Sequence, residues 1–533
     1  MSEIVAVIPA RAGSKGIPNK NIRIINGHPM IWYAINNALK SKYINKVVVS
    51  TDSDEVAIIA KHMGAIVHMR DASLCADDVT LDGVIYDVVK DYVCDFVVTM
   101  QPTSPTLKVE TLDKAVEYAF EQNTDALISA INKPHLSWRE EKGIKHPNYE
   151  NRLNRQYLPA NYLETGAFVI SKREIVTEKS RISGNVDVFE ISEEEAVDVD
   201  TFTDLMVVEK ILEKKKIAIY VNGNNLRGVG HIYRALELSD EFYSKPDIYY
   251  DINQTDAVIF GKTTHNLIGV DGIGELFDIV NKEQYTIFIN DILSTSIDYM
   301  IALRQKLPYA RIINFEDNGE GASKADVVIN ALYSESDLPN VVFGEKYYIS
   351  PKIFMFYEPI KIQKEVKKVL ITFGGADPMN YSDRVLSIIS KEKYKGYSFK
   401  VVLGRAKSNV DELMKYNEFN NIEVVYDVKN MPELMSESDI AITSRGRTGY
   451  ELASLGIPTI AMAQNSREEK HRFVDNDNGF YYLGLNPGDY VIESAIDMYI
   501  HMPQEDRQKC QDTMIKHDLR SGRKRVLQLI ENT

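Results

Sequence analysis

Short unbroken apolar runs alternate with amphipathic stretches of helical period along most of the chain. EIVAVIP (3–9), KVVVSTD (46–52), DFVVTMQ (95–101) and DALISAI (125–131) have the length and branched-residue content of strands buried on both faces. Between them the pattern predicts helices beginning near Pro29, Ser53, Val79 and Val109. Strands and helices in alternation predict parallel sheet covered by helices on both sides, an α/β fold. LMVVEKILEKKK (205–216) reads as a helix ending in a lysine run, and IAIYV (217–221) then restarts the pattern. A domain boundary is therefore expected near 215. A second seam falls in FYEPIKIQKEVKK (356–368), after which VLITF opens another set of alternations. The expected domains are 1–214, 217–358 and 359–533.

A chain of 533 residues exceeds a single hydrophobic core, in keeping with roughly two to four compact units. Composition changes this picture little. With 44% hydrophobic and 26% charged residues it is that of a globular protein, and no apolar run approaches the roughly 18 residues of a membrane span. The N-terminus enters a strand directly, without a basic-then-apolar signal, so a cytoplasmic protein is expected. Cys75, Cys94 and Cys510 are too few and too scattered for a disulfide framework or a zinc knuckle. A formal charge of −15 argues against nucleic acid or anionic membrane as a partner. Small phosphorylated ligands, gripped by local positive clusters, fit better.

One such cluster is IPARAGSKGIPNKN (8–21), which follows the first strand. Ligands of open parallel sheets sit outside the carboxyl ends of strands. There Gly13 and Gly16 allow backbone amides to approach phosphate, and Arg11, Lys15 and Lys20 carry charge that neutralises a triphosphate. Other strand ends add Ser50-Thr51-Asp52 and Gln101-Pro102-Thr103-Ser104-Pro105. Asp198 and Asp200, two apart in DVD, point to one side of an extended segment and suit a hard cation. Taken singly, each has a plain alternative: a solvated loop, a helix cap at Asp52, a rigid turn at QPTSP, solvated acids at DVD.

In this order the residues resemble the CMP-sialic acid synthetases (acylneuraminate cytidylyltransferases), over roughly residues 1–214. That family shows IPAR-x-x-SKG-x-x-x-KN, STD, QPTSP, RQ-x-x-P and D-x-D. The counterparts here are 8–21, 50–52, 101–105, Arg155-Gln156-Tyr157-Leu158-Pro159 and Asp198/Asp200. The SKG form separates it from relatives that activate Kdo. The resemblance implies a Rossmann-like nucleotidyltransferase domain in which the anomeric hydroxyl of a nine-carbon 2-keto sugar acid attacks the α-phosphorus of CTP. It implies that Lys15, Arg11 and Lys20 hold the triphosphate, that Ser14, Gly13, Gly16, Arg70 and Ser50 contact the nucleotide, and that Asp198 and Asp200 hold Mg²⁺. Gln101, Ser104, Gln156 and Gly166 would shape the sugar pocket, and a homodimer is expected. Several N-acetylneuraminate-using members carry Asn-Gly where this chain has Thr165-Gly166, so sialic, legionaminic and pseudaminic acids all stay open as the substrate.

The second half repeats the strand–loop–helix grammar. IAIYVNGNNLRGVGHIYR (217–234) is a strand, a Gly/Asn loop and a helix starting near Gly230-His231. A histidine there is kept neutral by the helix dipole and can accept a proton, or it caps or packs the helix. ITFGGADPMN (371–380) places adjacent glycines between a strand and a helix N-terminus, a phosphate cradle or a simple turn. SDIAITSRGRTGYELASLGIPTIAM (438–462) is strand, Gly loop, helix, strand, with Glu451 one turn into the helix as a ribose ligand or a solvent-facing acid.

With INFEDN (313–318) and ADVVINALY (325–333), these segments resemble the UDP-sugar hydrolase of pseudaminic acid biosynthesis, a member of the two-lobed GT-B superfamily. The resemblance implies His231 as the general base that activates water, and Gly374, Gly375, Ser444 and Glu451 around UDP, with a UDP-amino sugar as substrate. A glycosyltransferase, or a module that only binds nucleotide sugar, are the other readings.

Overall fold

A computed structural model describes residues 2–13, 16–76, 78–223, 230–333 and 335–531. The chain divides into two compact units, Met1–Lys214 and Lys215–Thr533. Ser14 and Lys15 lie outside the described residues.

The first unit is built on a seven-stranded sheet in the order Val186–Glu190, Ala126–Asn132, Tyr162–Lys172, Phe96–Met100, Ile4–Pro9, Lys46–Thr51, Ile66–Met69. The opening strand is apolar at every position because both faces are covered. Ile4, Ala6 and Ile8 pack with Ile31 and Ile35 on one side, and Val5 and Val7 with Val48, Ile85 and Val97 on the other. The sheet departs from the all-parallel expectation at one strand, since Tyr162–Lys172 runs antiparallel to both neighbours. The segment that precedes it holds the hairpin Trp138–Glu141 and Ile144–Pro147 and a short 3-10 turn at Arg155–Tyr157, with no crossover helix, so the chain re-enters the sheet reversed. A register shift between Glu164 and Val169 places Gly166 in a bulge.

The second unit holds two parallel sheets. The order of the first is Asn266–Val270, Asp247–Asp251, Ile217–Val221, Ile287–Asp291, Arg311–Phe315, Val327–Asn330, Val341–Phe343. The order of the second is Ile422–Tyr426, Ser398–Leu403, Lys368–Thr372, Ile440–Ser444, Thr459–Ala463, Phe480–Leu485. Each is a Rossmann-like lobe. The last helix, Gly522–Glu531, does not stay with the second sheet, although residues 359–533 were expected to form one lobe. Its Val526 and Ile530 complete the core over Ile217, Ile219 and Ile289 of the first lobe. Arg523 fastens it there by donating to Glu237 and to the Ser350 carbonyl at 2.5 and 2.7 Å. The apolar face of a ten-residue helix is buried wherever a matching groove exists, and that choice is invisible to local sequence.

Among the described residues no helix is long and apolar enough to cross a membrane.

A Cβ at Gly522 would lie 2.0 Å from the Tyr348 carbonyl oxygen. Gly522→Ala is therefore expected to cost the second unit roughly 1–3 kcal/mol. Calorimetric unfolding checks this, and an unshifted transition would show that the helix is not held there.

Candidate active sites

In each sheet the strand order reverses beside the unit's or lobe's first strand, and several of the candidate residues lie on the loops there. In the first unit Ile4–Pro9 lies between Phe96–Met100 and Lys46–Thr51. The loops that leave Ile4–Pro9 and Phe96–Met100 are the basic loop and QPTSP, at a topological switch point. Asp52 does not cap the following helix. Ser53 does so by accepting the Val56 N–H, while Asp52 accepts the Ala12 N–H at 2.7 Å and ties the basic loop to its neighbour strand. Asn21 donates to the Arg11 carbonyl at 3.0 Å, and the Arg11 guanidinium reaches the Cys75 carbonyl at 3.4 Å. Gly13 adopts φ +74, which a side chain would disfavour.

Arg70 turns toward the same loop system. Its Nε donates to the Ser50 hydroxyl at 3.3 Å and its Nη2 to the Ser50 carbonyl at 3.0 Å. Ser50 is fully buried, so its part is to hold Arg70. Burial lowers the pKa of the Arg70 guanidinium.

The far end of the loop meets the DVD segment, irregular backbone just before the helix Phe202–Leu212. Lys20 Nζ donates to the Val199 carbonyl at 2.8 Å and pairs with Asp200 at 3.0 Å. The approach is close enough that a Cβ at Gly16 would stand 2.6 Å from the Asp200 carbonyl oxygen. Val199 N–H donates to the Thr103 carbonyl at 2.8 Å, so QPTSP is tied to the same segment. Among the described residues Asp198 Oδ1 is buried without a hydrogen-bond partner, and burial raises its pKa. A Cβ at Gly166 would lie 3.2 Å from both Asp198 Oδ2 and Gln101 Cδ, so these three residues share one wall. Ser104 is buried behind them, its amide donating to the Gln101 carbonyl at 3.3 Å. Gln156 is exposed on its 3-10 turn, and among the described residues no hydrogen bond of its side chain ties it to that wall. The Thr165 hydroxyl donates to Ser129 Oγ at 2.7 Å and is thus spent within the sheet.

In the second unit a cavity of about 580 Å³ collects His231, Gly374, Gly375, Ser444 and Glu451 in one lining. His231 opens the helix Gly230–Ser239 after the first lobe's central strand, while the glycine pair and Ser444 follow the two strands at the second lobe's reversal. Gly374 sits at φ +77, and a Cβ at Gly404 would meet its carbonyl oxygen at 2.1 Å, so two loops touch backbone to backbone. Lys407, fully enclosed, holds this corner through Asp377 at 3.1 Å and Asp383 at 2.7 Å.

Sequence reasoning passed over Arg447 in the cavity lining and two residues behind His231. His231 Nδ1 bonds to Asp291, which Arg234 clamps with Nε and Nη2 at 2.7 and 2.6 Å. Arg447 donates to the Gly230 carbonyl across the cavity. Burial lowers the His231 pKa, partly opposed by Asp291, and the ring is neutral at physiological pH. Burial also raises Glu451 to about 7, against a smaller pull from Arg447. The one available signal was spacing: Arg234 stands one turn beyond His231, and Asp291 ends the strand at the switch point.

These sites can be set beside known proteins. A family model described as "Cytidylyltransferase" matches residues 5–226. The post-translational flagellin modification protein B of Campylobacter coli is 33% identical over 230 residues, which cover 41% of this chain and 98% of that protein. Through its first unit the chain belongs to the cytidylyltransferase family. N-acylneuraminate cytidylyltransferase A of Danio rerio is 34% identical over 39% of this chain and 50% of its own length. The chain spans between half and about two-thirds of several other curated relatives. The solved structure of Acinetobacter baumannii MurG matches 60% of this chain and all of its own, at 14% identity and a TM-score of 0.45.

Glu451 generates a pH prediction. The unfolded carboxyl releases its proton near 4.5 and the folded one near 7, so the folded state binds more protons between these values and loses stability as pH rises through them. Glu451→Gln removes that cost. The variant is expected to gain stability over wild type at pH 8 and little at pH 4.5 in urea unfolding of the chain. An equal effect at both values would mean the carboxyl is solvated.

Proposed function

We propose that the first unit transfers CMP from CTP to the anomeric hydroxyl of a nine-carbon 2-keto sugar acid of sialic, legionaminic or pseudaminic type. The oxygen of that hydroxyl bonds to the α-phosphorus, its proton is released, and pyrophosphate leaves. One observation carries this reading: the basic loop is docked on the DVD segment through Lys20 and Gly16, which brings a cation and a glycine of that loop against one of the paired carboxylates. Relatives named N-acylneuraminate cytidylyltransferase support it.

Phosphoryl transfer of this kind depends on positioning and charge neutralisation. Arg11 and Arg70, with Lys15 of the same loop, would neutralise the triphosphate, while Gly13 and Gly16 admit it to backbone amides. Gln101, Ser104 and Gly166 would border the sugar acid. Asp198 and Asp200 fit a divalent cation, since one offers a buried oxygen without a partner and the other an exposed carboxylate. Mg²⁺ held there would supply positive charge to the phosphate oxygens. Trp138, Ile144, Tyr157 and Tyr162, all exposed around one hairpin and its return, support a homodimer. Cys75, Cys94 and Cys510 are free, in keeping with a reducing cytoplasm.

For the second unit we infer hydrolysis of a UDP-linked amino sugar, with His231 as general base and Gly374, Gly375, Ser444 and Glu451 around UDP. A neutral imidazole in a cavity that also holds the glycine cradle supports it.

Asp200→Ala is expected to lower pyrophosphate release from CTP plus sugar acid by about 100-fold or more, some 2.7 kcal/mol of barrier. Near wild-type release would remove the metal assignment. A CTP-consumption screen across N-acetylneuraminic, legionaminic and pseudaminic acids names the substrate. For the second unit, free UDP should form from a UDP-amino sugar without acceptor and fall roughly 10²- to 10⁴-fold in His231→Ala. A requirement for acceptor would make it a transferase, and no turnover a binding module.

A further inference from the structure

Behind His231 stands a group of buried charges that the reading above does not use. Asp291, Arg234 and Glu316 are 1%, 6% and 2% exposed, and none of them can be accounted for by solvation. Arg234 binds both oxygens of Asp291 and reaches Glu316 at 3.0 Å. Its guanidinium also lies over the Phe315 ring, 4.7 Å from the centroid. Against the penalty of burial, Arg234 and His231 hold the Asp291 carboxyl well below the usual range, so it is ionised.

The backbone is distorted to build this group. Leu293, two residues past Asp291, and Glu316 itself both adopt left-handed φ values, +71 and +52. Side chains disfavour that region, and bulky ones most of all, so the surrounding structure must impose it. Such distortion concentrates where a fold places particular groups for a task.

Nδ1 of His231 has two neighbours that would fix opposite tautomers. Asp291 Oδ1 is in hydrogen-bond contact with it, and Arg234 Nη2 lies 3.2 Å away. If the guanidinium donated to Nδ1, the ring proton would sit on Nε2 and the ring could not accept a proton from the cavity. The ionised carboxylate is the nearer of the two and can only accept, so it draws the proton onto Nδ1. Arg234 is meanwhile engaged by both oxygens of the same carboxylate.

We propose that Asp291, clamped by Arg234, is a positioning residue that fixes His231 as the Nδ1–H tautomer and leaves the Nε2 lone pair to take the proton of the attacking water. This rests on His231 being the general base. As water attacks the anomeric carbon, its proton passes to Nε2 and the UDP oxygen leaves with the bonding electrons. The imidazolium that forms is stabilised by Asp291 and opposed by Arg234 and Arg447, with Glu316 the further carboxyl behind Arg234.

Two measurements on the full chain test this. In ¹⁵N-histidine-labelled protein at pH 7.5, with the His231 signals assigned from their loss in His231→Asn, the neutral ring is expected to show a protonated Nδ1 and a bare Nε2. A protonated Nε2 overturns the proposal, whatever any variant does. In Asp291→Asn, UDP release from the UDP-amino sugar is expected to fall roughly 10²- to 10⁴-fold in kcat with KM within about threefold. Because the carboxylate raises the pKa of His231, its loss should also move the acid limb of kcat to lower pH, a shift that a packing defect would not produce. Arg234→Lys keeps the charge and should retain intermediate activity. If His231→Ala is inactive while Asp291→Asn keeps the wild-type kcat and pH profile, the base stands and the role of Asp291 is overturned. If His231→Ala still releases UDP, the base itself has failed.

Discussion

Parallel strands joined by right-handed crossovers leave a gap wherever the strand order reverses, because successive helices depart to opposite faces and neither covers the adjoining strand ends. This protein meets that constraint in three sheets, and each time its charged and glycine-rich loops border the gap. In the first unit they are the loop after Pro9 and the QPTSP turn. In the second they are the helix start at Gly230 with Asp291, and the glycine pair at 374–375 with the segment after Ser444. The strands contribute to the candidate sites only through end residues such as Ser50, Asp291 and Ser444 and the bulge at Gly166. Their continuous apolar character lets both faces be covered, and covered faces confine polar groups to the strand ends.

What differs among the three gaps is how charge is held. In the first unit a cation and a carboxylate meet at the rim, where Asp200 is largely exposed and Lys20 mostly sheltered. A pair with one member exposed exchanges partners more readily than a sealed one. Around His231 the charges are sealed, and each carboxylate oxygen of Asp291 is bound. A sealed network cannot rearrange cheaply, which suits a group whose tautomer has to stay fixed. At the 374–375 corner Lys407 and two aspartates act differently again, fixing backbone so that two loops can touch without side chains between them.

Much of this was legible along the chain. The strands at 4–9, 46–51, 96–100 and 217–221, the boundary near 215 and the helix start at Gly230 follow from period and punctuation, and the site loops from their place at strand ends. The helix cap offered as the plain alternative for Asp52 falls away because its carboxylate accepts from Ala12, forty residues upstream, a partner local sequence does not show. Asp291 and Glu316 were not singled out along the chain, since nothing local shows that Arg234 lies between them.

The sequence by itself determined which segments form buried strands and where glycines and cations interrupt them, because those depend on neighbours a few residues away. Only the tertiary structure decided that Tyr162–Lys172 runs reversed, that the last helix returns to the first lobe, and that His231 is backed by a clamped carboxylate. Those outcomes depend on burial and on partners scores of residues distant, and a buried charge acquires its role from whichever partner the fold brings within hydrogen-bond reach.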